Sequence, residues 1–124
     1  MTSEAGLDEP GVVVAEVSGE LDAADNKLET ELQTLLARSE SRIVVDLTNV
    51  TFIDSSVIRS LVVAHRTVAE RSGWVRVVYT HHLIGRVIEI CGLRDVFPQY
   101  ASVECAVRGT ITMHAQSGTE WGGS

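Results

Sequence analysis

Asp54, Ser55 and Ser56 form the stretch of this sequence whose residue types, side by side, could carry chemistry. An apolar strand pattern, Ile43–Leu47, leads towards them, and a helical pattern begins at once after them. A hydroxyl in the first turn of a helix sits at the positive end of the backbone dipole. With a carboxylate beside it on a loop, it is a place to attach a phosphate. Plain capping accounts for the same residue types, because a side-chain oxygen of Asp or Ser takes an unpaired helix N–H. The two readings are compatible, since a capping serine still holds its hydroxyl at the helix end. A phosphate there would gain hydrogen bonds from free N–H groups. It would also add about −1.5 to −2 charges next to Asp54 and near Asp22, and so disfavour a partner docked on that surface.

Other reactive constellations are missing. The sequence holds no GxxxxGK(S/T) or GxGxxG phosphate loop, no HExxH and no CxxC. His65, His81, His82 and His114 do not have zinc-ligand spacing. His65 lies within an apolar arc and reads as a hydrogen-bonded core histidine, whereas His81-His82 reads as an exposed helix start. Ser55 with His65 is no argument for a nucleophile, because such sets can be picked from any chain of this size. Glu20, Asp22 and Asp54 read as a solvent-facing acid, a helix cap and a loop turn rather than as metal ligands. The expectation is a protein that is not an enzyme and has no cofactor or metal of its own.

The bulk numbers agree with a small binding module. With 124 residues and 44% hydrophobic content, the chain has enough for one domain and one core. Its formal charge of −7, with no Lys/Arg cluster, argues against nucleic acid and against an anionic membrane surface. No apolar run approaches a bilayer span. The start, MTSEAGLDEPG, lacks the basic and apolar regions of a signal peptide, so a cytoplasmic location is expected. Two cysteines, Cys91 and Cys105, are too few for a disulfide framework and read as inert free thiols.

The elements that must position the Asp-Ser-Ser loop follow from periodicity. Residues 1–10 read as a flexible lead-in, residues 11–114 as the domain and residues 115–124 as a disordered tail. Gly11–Ser18 reads as a strand closed by Gly19–Asp22, and Ala23–Ser39 as a helix with Leu28, Leu32, Leu35 and Leu36 on one stripe. Ile43–Leu47 reads as a central strand covered on both faces, with Thr48–Phe52 as its connection. A helix over Ser55–Arg71 turns Val57, Ile58, Leu61, Val62, Ala64, His65, Val68 and Ala69 inward. Its other face carries Arg59, Ser60, Arg66, Thr67, Glu70 and an apolar outlier, Val63. Trp74–Thr80 is a third strand. His81–Ile90 is a third helix, with Ile84, Val87, Ile88 and Cys91 on its apolar stripe and Gly92 as its cap. Ala101–His114 reads as a last helix with Val103, Ala106, Val107 and Ile111 inward and Cys105 outward. The sum is an α/β layer: a small mixed or parallel sheet with helices packed over it.

Four segments, in order, resemble the STAS domain in its single-domain form, the anti-sigma factor antagonist. Gly19-Glu20-Leu21-Asp22 is similar to that family's GE(I/L)D turn. Val45-Asp46-Leu47 with Val50-Thr51-Phe52-Ile53-Asp54-Ser55-Ser56 resembles its DLxxVxFIDSS strand and loop. Gly73–Val78 resembles the glycine and strand after the second helix, and Gly92-Leu93-Arg94-Asp95-Val96-Phe97-Pro98 its GLxxVFP segment.

The resemblance covers about residues 11–110. It implies that Ser55, rather than Ser56, is the phosphorylated residue. It also implies that the unmodified protein binds an anti-sigma factor, often itself a serine kinase of histidine-kinase-like ATPase fold, and so frees a sigma factor. A serine phosphatase would reset the switch, and the kinase would bring ATP and magnesium. The implied partner surface comprises Asp22, Asn26, Asp54, Ser55, Ser56, Val57, Arg59 and Val63. One position departs: Val57-Ile58 stands where the family usually has Gly-Leu. A β-branched valine narrows the backbone approach that glycine allows. That departure keeps an alternative in view, a non-phosphorylated STAS scaffold or stabilising subunit of an ABC-type lipid transport complex.

Overall fold

The computed structural model describes residues 11–21 and 27–110. The expectations for residues 1–10, 22–26 and 111–124 lie outside the described residues. Seven elements follow one another: β1 (Val12–Leu21), α1 (Lys27–Ala37), β2 (Arg42–Ile53), α2 (Ser55–Ala69), β3 (Trp74–Val78), α3 (His82–Ile90) and α4 (Val103–Arg108). The three strands form a parallel sheet in the order β1-β2-β3. Parallel neighbours need a crossover, and α1 and α2 supply the two crossovers. An isolated bridge from Val78 to Tyr100 extends the sheet by one contact.

β2 is the central strand, and both of its faces are covered. Ile43, Val45 and Leu47 point into the larger core, with Leu28, Leu32 and Leu35 of α1, five residues of α2, and Ile84 and Ile88 of α3. Val44 points the other way, into a small cluster with Val78, Tyr100 and Ala106 of α4. Arg76 fastens α4 to this second face. Its Nη1 donates to the carbonyls of Ala106 at 2.9 Å and Val107 at 3.4 Å, and its guanidinium lies 3.8 Å from the Trp74 ring centroid.

β2 runs well past the expected Ile43–Leu47, through the stretch read as a connection. The pairing with β1 shifts register twice, between Glu16 and Ser18 and between Gly19 and Glu20, and each time β2 carries the extra residue. Its buried residues there, Leu47, Val50 and Ile53, are therefore three apart rather than two. A period-2 reading takes that spacing for the end of a strand. β1 is longer for the same reason: Gly19, Glu20 and Leu21 are strand residues, not a closing turn.

Other elements are shorter than periodicity suggests. α1 ends at Ala37 rather than at the expected Ser39, and its expected start at residues 23–26 lies outside the described residues. α4 ends at Arg108, because Gly109 takes the left-handed conformation (φ 77°) and breaks the helix. Of the expected inward residues of α4, Ala106 is buried and Val103 and Val107 are half-buried. Cys105, expected outward, packs partly against the second cluster. Cys91 is the C-cap of α3 and is exposed rather than part of its apolar stripe. His65 is half-buried edge-on to Phe97, with centroids 5.7 Å apart. Its Nδ1 is buried without a hydrogen-bond partner, contrary to the bonded core histidine expected. Ala69, expected inward, is exposed.

The return from α2 to β3 is the tightest point of the chain. Gly73 N–H donates to Val68 O, and Trp74 N–H to Ser41 O, both at 2.8 Å. A Cβ on Gly73 would lie 1.9 Å from the Ser41 carbonyl oxygen. Gly73→Ala should therefore cost at least about 2 kcal/mol, read as a lower urea midpoint. An unchanged midpoint would mean the turn can open without loss.

Candidate functional site

The site is built where β2 ends. Ile53 is buried and pairs with Leu21, and the Asp54 N–H donates to the Leu21 carbonyl at 3.2 Å. The Asp54 loop is thus tied to the last described residue before Asp22. Asp22 and Asn26 themselves lie outside the described residues. Asp54 has extended backbone (φ −111°, ψ −177°) and is the N-cap of α2. Its Oδ1 accepts from the backbone N–H of Ser56 at 3.0 Å and of Val57 at 3.4 Å, and from the Ser56 hydroxyl at 2.6 Å.

This arrangement separates the two serines. Ser56 is half-buried, and its hydroxyl proton is committed to Asp54. Ser55 is the first residue of α2 and is exposed, and its hydroxyl has no hydrogen-bond partner among the described residues. The cap is therefore Asp54, not a serine, and the free hydroxyl is that of Ser55. A phosphate on Ser55 would find the Ser56 and Val57 N–H groups already taken by Asp54. The hydrogen bonds expected from free N–H groups reduce accordingly, and the added negative charge beside the Asp54 carboxylate becomes the larger effect.

Ser55, Arg59 and Val63 stand at i, i+4 and i+8 on α2, so they form one row on the helix surface. All three are exposed, and Val63 is 53% exposed. Val57 does not join them. It is 5% exposed and packs in the main core, because position 57 faces the sheet when position 55 faces out. Its side chain is thus neither part of the outer surface nor in the way of an approach to Ser55.

Arg59, Ser60 and Val63 also border a shallow groove of about 130 Å³ between α2 and α1, whose far wall includes Glu29, Gln33 and Leu36. The α1 side of this groove was not singled out in the sequence. The i, i+4, i+7 spacing of Glu29, Gln33 and Leu36 carries that signal. Among the described residues no group of three or more His, Cys, Asp or Glu is placed to hold a metal ion. No helix among them is long and apolar enough to cross a membrane.

A strand-to-loop carboxylate that caps a helix and leaves an exposed serine in its first turn, on a small parallel α/β layer, defines a class of domain. The chain belongs to the STAS domain family, whose model matches residues 8–106. Among solved structures it is similar to an anti-sigma factor antagonist from Mycobacterium paratuberculosis. That likeness has 30% identity over 83% of this chain and 88% of the other, with a TM-score of 0.73. The fold is shared with the anti-sigma factor antagonist SpoIIAA in its unphosphorylated form, at 21% identity, 82% and 91% coverage and a TM-score of 0.66. It is shared too with the phosphorylated form of SpoIIAA, described as a Bacillus cell fate determinant, at 18% identity, 83% and 95% coverage and a TM-score of 0.63. No curated protein matched by sequence.

The capping geometry makes the three site residues unequal in stability. Asp54→Ala should cost about 1 kcal/mol through loss of the cap, whereas Ser55→Ala should stay within about 0.5 kcal/mol of wild type. Paired urea titrations check this. Equal losses at the two positions would mean that the Ser55 hydroxyl is also structural.

Proposed function

We propose that this chain is an anti-sigma factor antagonist switched by phosphorylation of Ser55. In its unmodified form it binds an anti-sigma factor that is also a serine kinase of histidine-kinase-like ATPase fold, and so releases a sigma factor. The kinase brings ATP and magnesium, a serine phosphatase removes the phosphate, and the exchange takes place in the cytoplasm. The chain itself is a substrate and a binding partner, not an enzyme, and carries no cofactor.

The observation that carries this reading is the contrast between the serines. Ser55 offers an exposed, uncommitted hydroxyl, whereas Ser56 gives its proton to Asp54 at 2.6 Å. Membership of the STAS family and the likeness to a solved anti-sigma factor antagonist support it. The partner surface in this proposal runs from the Asp22–Asn26 segment across Asp54–Ser56 to Arg59 and Val63. Phosphate on Ser55 would add charge at the centre of that surface, next to Asp54. The scaffold alternative rests on Val57 as an obstacle to modification, and burial of the Val57 side chain in the core favours the phosphorylation reading over it.

Incubation with the cognate kinase and ATP should phosphorylate wild type and Ser56→Ala but not Ser55→Ala. Loss of modification in Ser56→Ala alone would move the site to Ser56. Ser55→Glu should weaken binding to the anti-sigma factor by roughly tenfold or more, about 1.4 kcal/mol, in a titration by calorimetry. Unchanged affinity would sink the charge mechanism. Substituting Arg59 and Val63 together by Ala should also weaken binding, and no effect would remove the α2 row from the interface.

A further inference from the structure

A second feature, sharing no residue with Asp54–Val63, lies where β3 gives way to α3. There an open pocket of about 400 Å³ lies beside the first turns of α3. Gly85 forms part of its floor and covers the buried Tyr79 ring, which a Cβ on Gly85 would approach to 3.5 Å. Its walls are rich in donors. Arg86 makes no hydrogen bond or ion pair among the described residues. Arg94 makes a loose pair with Glu89 at 3.9 Å. The Gln99 amide donates to the Tyr79 carbonyl at 2.8 Å, which holds that side chain in the wall.

The histidines add to the donor set. The Nδ1 of His81 accepts the Leu83 N–H at 3.2 Å, so the proton of a neutral His81 ring sits on Nε2 as a donor. The His82 ring stacks on it with centroids 5.3 Å apart. The Tyr79 hydroxyl points away, donating to the Phe97 carbonyl at 3.0 Å. Burial raises its pKa above the ordinary tyrosine value, partly opposed by Arg94, so it stays neutral. Of the wall residues, only Glu89 is an anion. On a chain of net charge −7, two arginines facing one acid make a locally positive cavity, and guanidinium forks match phosphate and carboxylate oxygens.

We infer that this pocket binds a small organic anion, its phosphate or carboxylate group held between Arg86 and Arg94 and its carbon skeleton against Gly85. Binding draws Arg94 away from Glu89. The site is independent of Ser55, and its occupancy does not depend on the phosphorylation reading.

The test is a titration of the full-length ¹⁵N-labelled chain with glycerol 3-phosphate, with inorganic phosphate, and with sodium chloride at matched ionic strength. Glycerol 3-phosphate should give saturable amide shifts centred on Gly85, Arg86 and Gln99. Arg86→Gln and Arg94→Gln, both at exposed positions, should each weaken binding about tenfold while the rest of the spectrum is unchanged. Glu89→Gln should tighten it. Ser55→Glu should bind the probe as wild type does. Shifts that follow the chloride control, or that saturate alike in both arginine variants, would overturn the site. Equal affinity for inorganic phosphate and glycerol 3-phosphate would overturn its organic part.

Discussion

The structure depends on β2. Among the described residues it is the one strand with a parallel neighbour on each side and a hydrophobic cluster on each face. Ile43, Val44, Val45 and Leu47 are fully buried, and at about 25 cal/mol per Å² of apolar surface removed from water such a strand dominates the stability of a domain this small. Parallel pairing forbids tight hairpins, so the chain must cross over after β1 and after β2. Those two crossovers are α1 and α2, and the groove between them is a by-product of covering one sheet face.

The site inherits its geometry from that strand. By the pairing register, β2 continues seven residues beyond Asp46, the last of its residues to pair with β3. The extension, held against β1 through two bulges, carries Asp54 to the carboxyl end of the sheet. There the chain changes from strand to helix in a single residue. Only a side chain that can satisfy the open N–H groups of the new helix fits at that step. The Asp54 carboxylate does so and also occupies the Ser56 hydroxyl. Ser55 is left as the exposed residue between two half-buried neighbours that bond to each other, so its accessibility is a consequence of capping rather than a separate device.

The same end of the sheet hosts the second feature. In parallel α/β layers, the carboxyl ends of strands are where loops and helix starts leave room for ligands. β2 uses its end for a serine presented outward, whereas β3 uses its end for a donor-lined cavity. The Ser55 row of α2 is an exposed helix face, whereas the Arg86–Arg94 pocket is an open depression lined by polar side chains.

Much was legible in the sequence itself. The leucine stripe of α1, the apolar run of β2 and the inward residues of α2 are set by side-chain period and hydrophobicity, which act locally. The Asp-Ser-Ser step was equally readable, because capping is decided within three residues. What only the tertiary structure decided came from contacts distant in sequence. The bulges that lengthen β1 and β2 exist because the two strands pair, and they turn a period of two into the spacing of Leu47, Val50 and Ile53. Which serine is free depended on where one proton of Ser56 points, and whether Val57 obstructs depended on which side of α2 meets the sheet. The cavity of Arg86 and Arg94 needed α3 and the following loop to fold back over Tyr79. A linear pattern does not encode that approach, because it is set by packing energy summed over the whole core.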